Sequence, residues 1–222
     1  MKVFVFLVFS FIFLYLTAKI SKLLNFYDTP DGFKIHKNKI PNAGGLALIP
    51  LVITMFLVFD YDQKITFSLN LFLIVIIIGV IDDFKNINPQ VKLIALLLPI
   101  YIFTKDVSIV KSLGVYGDKN FVLGPLSFVF TLLSIFLLTN AYNYIDGLDG
   151  LLAINLIITF LTLLFFDKSE INFLIPFIFF LFIYFLYNIN FLKILNKQFL
   201  GNSGSLGLGF LVSMLLIIFT QF

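Results

Sequence analysis

A helix needs roughly 17 or more consecutive apolar residues to cross the hydrocarbon core of a bilayer. Apolar runs recur through this 222-residue chain, at Val3–Ile20, Ala43–Phe59, Ile65–Ile81, Val91–Thr104, Pro125–Ala141, Leu148–Phe166, Ile171–Tyr187 and Leu206–Phe222, all of that length but the fourth, which has 14 residues. No domain linker and no repeat of the solenoid kind interrupts them. Sixty per cent of the residues are hydrophobic, 31 are Phe and 12% are charged, against about 25% charged in soluble domains. The expectation is an all-α protein, one domain over residues 1–222, built as a polytopic transmembrane helix bundle of about eight spans. The first run exceeds a signal-peptide core and no small-residue cleavage site follows it, so it reads as a retained span.

Parity then sorts the polar stretches. With eight spans, Ser21–Asn42, Asp82–Gln90, Tyr142–Gly147 and Asn188–Ser205 share one side, and Asp60–Lys64, Lys105–Gly124 and Asp167–Glu170 share the other. The first side, with its helix ends, holds nine lysines (19, 22, 34, 37, 39, 85, 92, 193 and 197), and the second, with Lys2, holds six. The positive-inside rule puts the first side in the cytoplasm and both termini outside. Val107–Val122 alternates apolar and polar residues around Gly114 and Gly117, the pattern of a small extracytoplasmic β-hairpin. Several chemistries are excluded. There is no cysteine for a disulfide or a thiolate site, and a lone histidine cannot form a zinc cluster within one chain. The net charge of +3 is too diffuse for nucleic acid.

What remains is a set of four polar stretches on one face. Asn140-Ala-Tyr-Asn-Tyr-Ile-Asp-Gly-Leu-Asp-Gly-Leu151 places Asp146 and Asp149 three apart, hence on one side of a helical turn. A carboxylate facing lipid at mid-bilayer costs roughly 2.5–3.5 kcal/mol, so this pair suits a water-facing site that holds a cation. It equally suits a polar turn with capping Asn and Asp. Asp28 to Gly45 carries a lysine patch, His36 and a Gly-Gly pair at a helix mouth, features that suit phosphate or a positive-inside anchor. Gly79 to Lys92 contains the adjacent carboxylates Asp82 and Asp83 at the end of an apolar run, against the helix dipole. One could bind metal while the other faces a second reactant, or Asp82 could pair with Lys85 at an interfacial helix end. Asn188 to Gly209 holds Gly201, Gly204, Gly207 and Gly209 with Ser203 and Ser205. Such residues either pack helices closely or admit a nucleotide close to backbone.

Taken together, D-x-P…H…P-x-x-GG (Asp28 to Gly45), G-x-IDD…K (Gly79 to Lys92), N-x-x-DGLDGL (Asn143 to Leu151) and F-x-G-x-S-GS (Phe199 to Ser205) resemble the polyprenyl-phosphate N-acetylhexosamine-1-phosphate transferases of the MraY and WecA type. The resemblance runs from Asp28 to Gly209, with the blocks in the family's order. It implies a Mg²⁺-dependent (or Mn²⁺-dependent) enzyme that moves a sugar 1-phosphate from UDP-HexNAc to undecaprenyl phosphate and releases UMP, at the cytoplasmic face of the inner membrane. Its product would enter cell-wall or lipopolysaccharide-type glycan synthesis. It further implies Asp82 as the carboxylate acting on the lipid phosphate, with Asp83 beside it. Asp83, Asp146 and Asp149 would help hold metal and nucleotide. Asn143 and Phe199 would contact uridine, with Phe199 in the stacking place, and Lys39 and Lys85 would meet phosphate or base. Asn190 is a looser match. Hard oxygen donors suit Mg²⁺ or Mn²⁺, and a cation must offset the repulsion of two phosphate substrates before attack on phosphorus.

Two departures from the family pattern matter. G-D-x-G-S here reads Gly201-Asn202-Ser203-Gly204-Ser205. The Asn202 carbonyl can still ligate the ion, but with one negative charge fewer and lower affinity. The family also has about ten spans and a histidine-containing loop near its C-terminus, whereas this sequence ends at Phe222 without that loop. The alternative expectation is therefore a catalytically inactive relative that binds polyprenyl phosphate or nucleotide, or that partners an active enzyme. A Phe-rich lipid-facing surface leaves a homodimer open.

Overall fold

The computed structural model describes residues 2–28, 39–166, 171–191 and 195–219. Among these, eight α-helices follow in order: α1 Lys2–Leu23, α2 Gly44–Val58, α3 Gln63–Lys85, α4 Pro89–Asp106, α5 Ser127–Ile145, α6 Leu151–Phe166, α7 Ile171–Asn188 and α8 Gly201–Phe219. Each apolar run of the sequence overlaps one of them, the last as far as the described residues extend. The runs of α1, α3, α5, α7 and α8 are long and apolar enough to cross a membrane, while α2 and α6 are shorter apolar helices. The 18 residues of α4 are interrupted by Lys92 near one end and Lys105 and Asp106 at the other. The molecule is a polytopic helical membrane protein. Its outer face shows the reason, since Phe4, Val8, Phe11, Tyr15 and Leu16 along α1 are all exposed, a stripe that water would not tolerate.

Local chemistry sets the helix ends. Asp62 caps α3 by accepting from the Ile65 N–H at 2.7 Å. Asn88 caps α4 by accepting from the Gln90 N–H at 2.9 Å, with Pro89 at the first helical position, where its missing N–H is not needed. Between α3 and α4 the chain turns at Asn86, which takes a left-handed conformation with φ of 46°.

Helix α8 is the axis of the bundle and is buried along most of its length, packed between α3 and α5 with α2 alongside. Its small residues make that possible. A Cβ at Gly79 of α3 would meet Ser203 N at 2.6 Å, and one at Gly209 would meet the Thr139 carbonyl of α5 at 2.9 Å. Close approach of this kind lets dispersion hold helices together where water cannot drive them. Gly204, Gly207 and Gly209 of α8 therefore pack helices, one of the two roles open from sequence, and α8 begins at Gly201 rather than Leu206.

Two small antiparallel sheets complete the fold. β1 (Tyr27–Asp28) pairs with β2 (Ile40–Pro41), and β3 (Ser112–Tyr116) pairs with β4 (Lys119–Val122) across a turn containing Gly117. The second is the hairpin expected within Val107–Val122, joining α4 to α5.

Candidate functional site

An open cleft of about 650 Å³ is lined by Asp28, Asn42, Asp83, Asn143, Asp146, Gly147, Leu148, Asp149, Lys197, Phe199, Gly201, Asn202 and Ser205. These come from all four polar stretches that parity placed on one side. Backbone hydrogen bonds fasten them together. The Phe199 N–H donates to the Pro41 carbonyl at 3.0 Å, and the Ala43 and Gly44 N–H groups donate to the Phe199 carbonyl at 3.1 and 3.0 Å. The Gly45 N–H donates to Leu200 at 3.0 Å. The segment before α8 thus satisfies the first amides of α2, which have no partner within their own helix. Phe26 stacks on Phe84 with ring centroids 4.1 Å apart, bringing the first stretch against the end of α3.

Asp83 faces the start of α8. Its Oδ1 accepts from the Asn202 N–H at 2.8 Å, and its Oδ2 accepts from the Ser203 N–H at 3.0 Å and the Ser203 hydroxyl at 2.9 Å. A carboxylate from α3 therefore caps α8, where backbone N–H groups and the helix dipole favour negative charge. Gly201 allows this approach. Its φ is +71°, and a Cβ there would meet Asp83 Oδ2 at 2.5 Å, so both the backbone and the space call for glycine.

Asp82 points elsewhere. It is buried, does not line the cleft, and pairs with Lys92 of α4 at 3.0 Å, while its Oδ1 accepts from the Ile87 N–H at 3.1 Å. The partner is thus Lys92, across the turn, rather than Lys85 on the same helix. Lys39 and Lys85 are exposed and lie outside the cleft lining. Asn190, left-handed with φ of 53°, also lies outside it. His36 falls outside the described residues.

On the facing wall, Asn143 Oδ1 accepts from the Ser205 hydroxyl at 2.6 Å, tying α5 to α8. Asp149 pairs with Lys197, whose ammonium also sits 5.3 Å from the centre of the Phe199 ring. Burial, and then the charges of Asp83 and Asp149, push the Asp146 carboxyl well above the usual carboxylate range. Three carboxylates that repel in this way, beside the amides of Asn143 and Asn202, form a hard oxygen donor set of the kind Mg²⁺ or Mn²⁺ takes. The donors suit such an ion chemically, but among the described residues no three acidic or imidazole side chains are gathered tightly enough to hold one. The reason is visible in their partners: Asp83 is turned to α8 and Asp149 to Lys197.

Sequence reasoning missed two residues here. Lys197 entered only as one of the lysines on a shared side, although its place two residues before Phe199 was a usable signal. Asn188, buried at the end of α7, accepts from the Gly150 N–H at 2.6 Å and donates to the Gln198 carbonyl at 3.1 Å, bridging the Asp149 turn to the Phe199 segment. Nothing in the spacing of residues announces that bridge.

The chain is 29% identical over 231 residues to the undecaprenyl-phosphate alpha-N-acetylglucosaminyl 1-phosphate transferase of Escherichia coli strain K12, a match covering 96% of this chain and 60% of that protein. It is 31% identical over 212 residues to the protein of the same name from Thermotoga maritima, covering 93% of this chain and 62% of the other. The chain thus spans about three fifths of the length of these curated relatives. Residues 65–220, from α3 to α8, match the family described as glycosyl transferase family 4. The chain belongs to glycosyl transferase family 4, the family of the MraY and WecA type transferases.

Proposed function

We propose that this chain, as a single domain of eight spans with the β3–β4 hairpin outside, transfers HexNAc 1-phosphate from a UDP-sugar to undecaprenyl phosphate at the cytoplasmic face of the inner membrane. In net terms, an oxygen of the lipid phosphate bonds to the sugar-bearing phosphorus. The bond from that phosphorus to the bridging oxygen breaks, and UMP leaves with its electron pair. The observation that carries this reading is the convergence of four stretches, distant in sequence, on one cleft that combines carboxylates, amides, an aromatic ring and an ammonium.

Asp83, Asp149 and Asn202, with Asp146 beside them, are the residues proposed to hold Mg²⁺ or Mn²⁺. Asp83 Oδ1 accepts a single hydrogen bond and so keeps a free lone pair. When bound, the ion neutralises phosphate charge and polarises the phosphorus–oxygen bond. Phe199 supplies a face for the uracil ring, with Asn143 at the nucleoside. Asp82, outside the cleft lining, is assigned to the lipid phosphate, with Lys92 as its resting partner. A membrane-face site of this form receives one substrate through lipid and the other through water.

The test is UMP release by the protein purified in detergent, supplied with undecaprenyl phosphate, Mg²⁺ and either UDP-GlcNAc or UDP-GalNAc. One observation favours a second reading, a non-catalytic relative that binds nucleotide or polyprenyl phosphate: no three acidic side chains gather around an ion among the described residues. Silence with every UDP-HexNAc alongside measurable nucleotide binding selects that reading.

A further inference from the structure

We propose that Lys197 binds the diphosphate of the nucleotide substrate, and that Asp149 holds it in reserve until a divalent cation takes its place. This rests on the transferase reading above. Among the described residues, Lys197 is the single basic one lining the cleft, against Asp28, Asp83, Asp146 and Asp149. A ligand carrying a diphosphate therefore meets, among the described lining residues, four carboxylates and the Lys197 ammonium.

The other place for a phosphate in such a site, the N-terminus of α8, is already taken. Asp83 accepts from the Asn202 and Ser203 amides that would otherwise receive an anion. Lys197 is positioned for the task by two contacts, an ion pair with Asp149 and a cation–π contact with the Phe199 ring. The second contact places the ammonium beside the proposed uracil face, within a side chain's swing of phosphates attached to that nucleoside. Phe199 is itself anchored through its backbone to Pro41, Ala43 and Gly44, which fixes where its side chain enters the cleft.

The pairing with Asp149 gives the arrangement its order of events. While Lys197 neutralises Asp149, the carboxylate is a poor ligand for a cation, and while Asp149 holds Lys197, the ammonium is withheld from phosphate. With a divalent ion held by Asp149, the Lys197 ammonium would be released from that carboxylate and would be free to meet the diphosphate. Ion and nucleotide thus bind cooperatively, each favouring the arrangement the other needs.

The experiment compares the wild-type protein in detergent with Lys197→Ala, Lys197→Gln and Lys197→Arg. Mn²⁺ binding without nucleotide is read by electron paramagnetic resonance of the free ion, and UDP-GlcNAc binding in Mg²⁺ by calorimetry. Removing the ammonium is expected to tighten Mn²⁺ binding by about threefold, the worth of a partly exposed ion pair. The same change is expected to weaken UDP-GlcNAc binding by about tenfold or more, the worth of a charge-assisted hydrogen bond. Lys197→Arg keeps both affinities within about threefold of wild type, since its charge is retained. Lys197→Gln repeats the alanine result while filling the space of the lysine stem, so a folding defect in one variant does not decide the outcome. Opposite shifts in the two affinities support the proposal, because a merely structural lysine would weaken both together. Any other combination overturns it. A wild-type protein that shows these affinities but releases no UMP would remove the transferase reading and leave Lys197 as a nucleotide ligand. UMP release with unchanged affinities in the variants would do the reverse.

Discussion

The neutral amide at position 202 decides how this site balances charge. Asn202 donates its backbone N–H to Asp83 and is among the residues that line the cleft. Asn202→Asp is expected to tighten Mn²⁺ binding and, without the ion, to lower thermal stability, because a second carboxylate would then face Asp83. Unchanged Mn²⁺ affinity would place residue 202 away from the ion. Asp146 adds a pH dependence. Its carboxyl is held above the usual range by burial and by Asp83 and Asp149, so its ionisation costs folding stability once pH rises past the unfolded value, about 3.9. Stability without the ion therefore declines as pH climbs from that value through the raised one. Mg²⁺, which offsets the charge, is expected to raise the melting temperature more at neutral pH than near the unfolded value, about 3.9. A stabilisation equal at both pH values would take Asp146 out of the ion's surroundings. At Asp82 the expectation concerns turnover. Asp82→Asn should lower UMP release by about a hundredfold or more, the scale of a lost acid–base group, and retained activity would confine Asp82 to its pairing with Lys92.

Between helices, the site depends on close crossings. Gly79 of α3 and Gly45 of α2 both abut the Asn202–Gly204 backbone of α8, so the amides that hold Asp83 are positioned by glycine contacts one turn away. Gly79→Ala inserts a methyl group where Ser203 N would lie 2.6 Å from it. Overpacking of this kind costs about 1–3 kcal/mol, and the expected readout is a lower melting temperature together with weaker nucleotide binding as α3 and α8 separate. Normal nucleotide affinity in a destabilised Gly79→Ala protein would uncouple the crossing from the site. The four glycines of α8 were legible as either helix packing or nucleotide approach, and the choice between these needed coordinates. Spacing along one helix does not say which neighbour fills the notch.

Across the whole molecule, polar residues collect at one end of the bundle, and the β3–β4 hairpin joins α4 to α5 at the other. The sequence contains no cysteine, so single replacements can be labelled without background. Lys119→Cys on the hairpin is expected to react with a membrane-impermeant maleimide in intact cells, and Lys85→Cys at the cleft end only after permeabilisation. The reverse pattern would invert the orientation drawn from the lysine bias. By itself the sequence determined the helical membrane architecture, the helix boundaries to within a few residues, the presence of a hairpin between α4 and α5, and which four stretches meet at one cleft. Those follow from hydrocarbon thickness and backbone hydrogen bonding, which act locally and leave apolar runs few alternatives. Only the tertiary structure decided partners. Asp82 and Asp83 are neighbours in the chain, yet one pairs with Lys92 and the other caps α8, because successive helical side chains diverge by about 100°. Lys197 reached Asp149, and Asn188 reached Gly150, across 48 and 38 residues. Contacts of that range depend on how helices cross in three dimensions, which no periodicity in a single chain records.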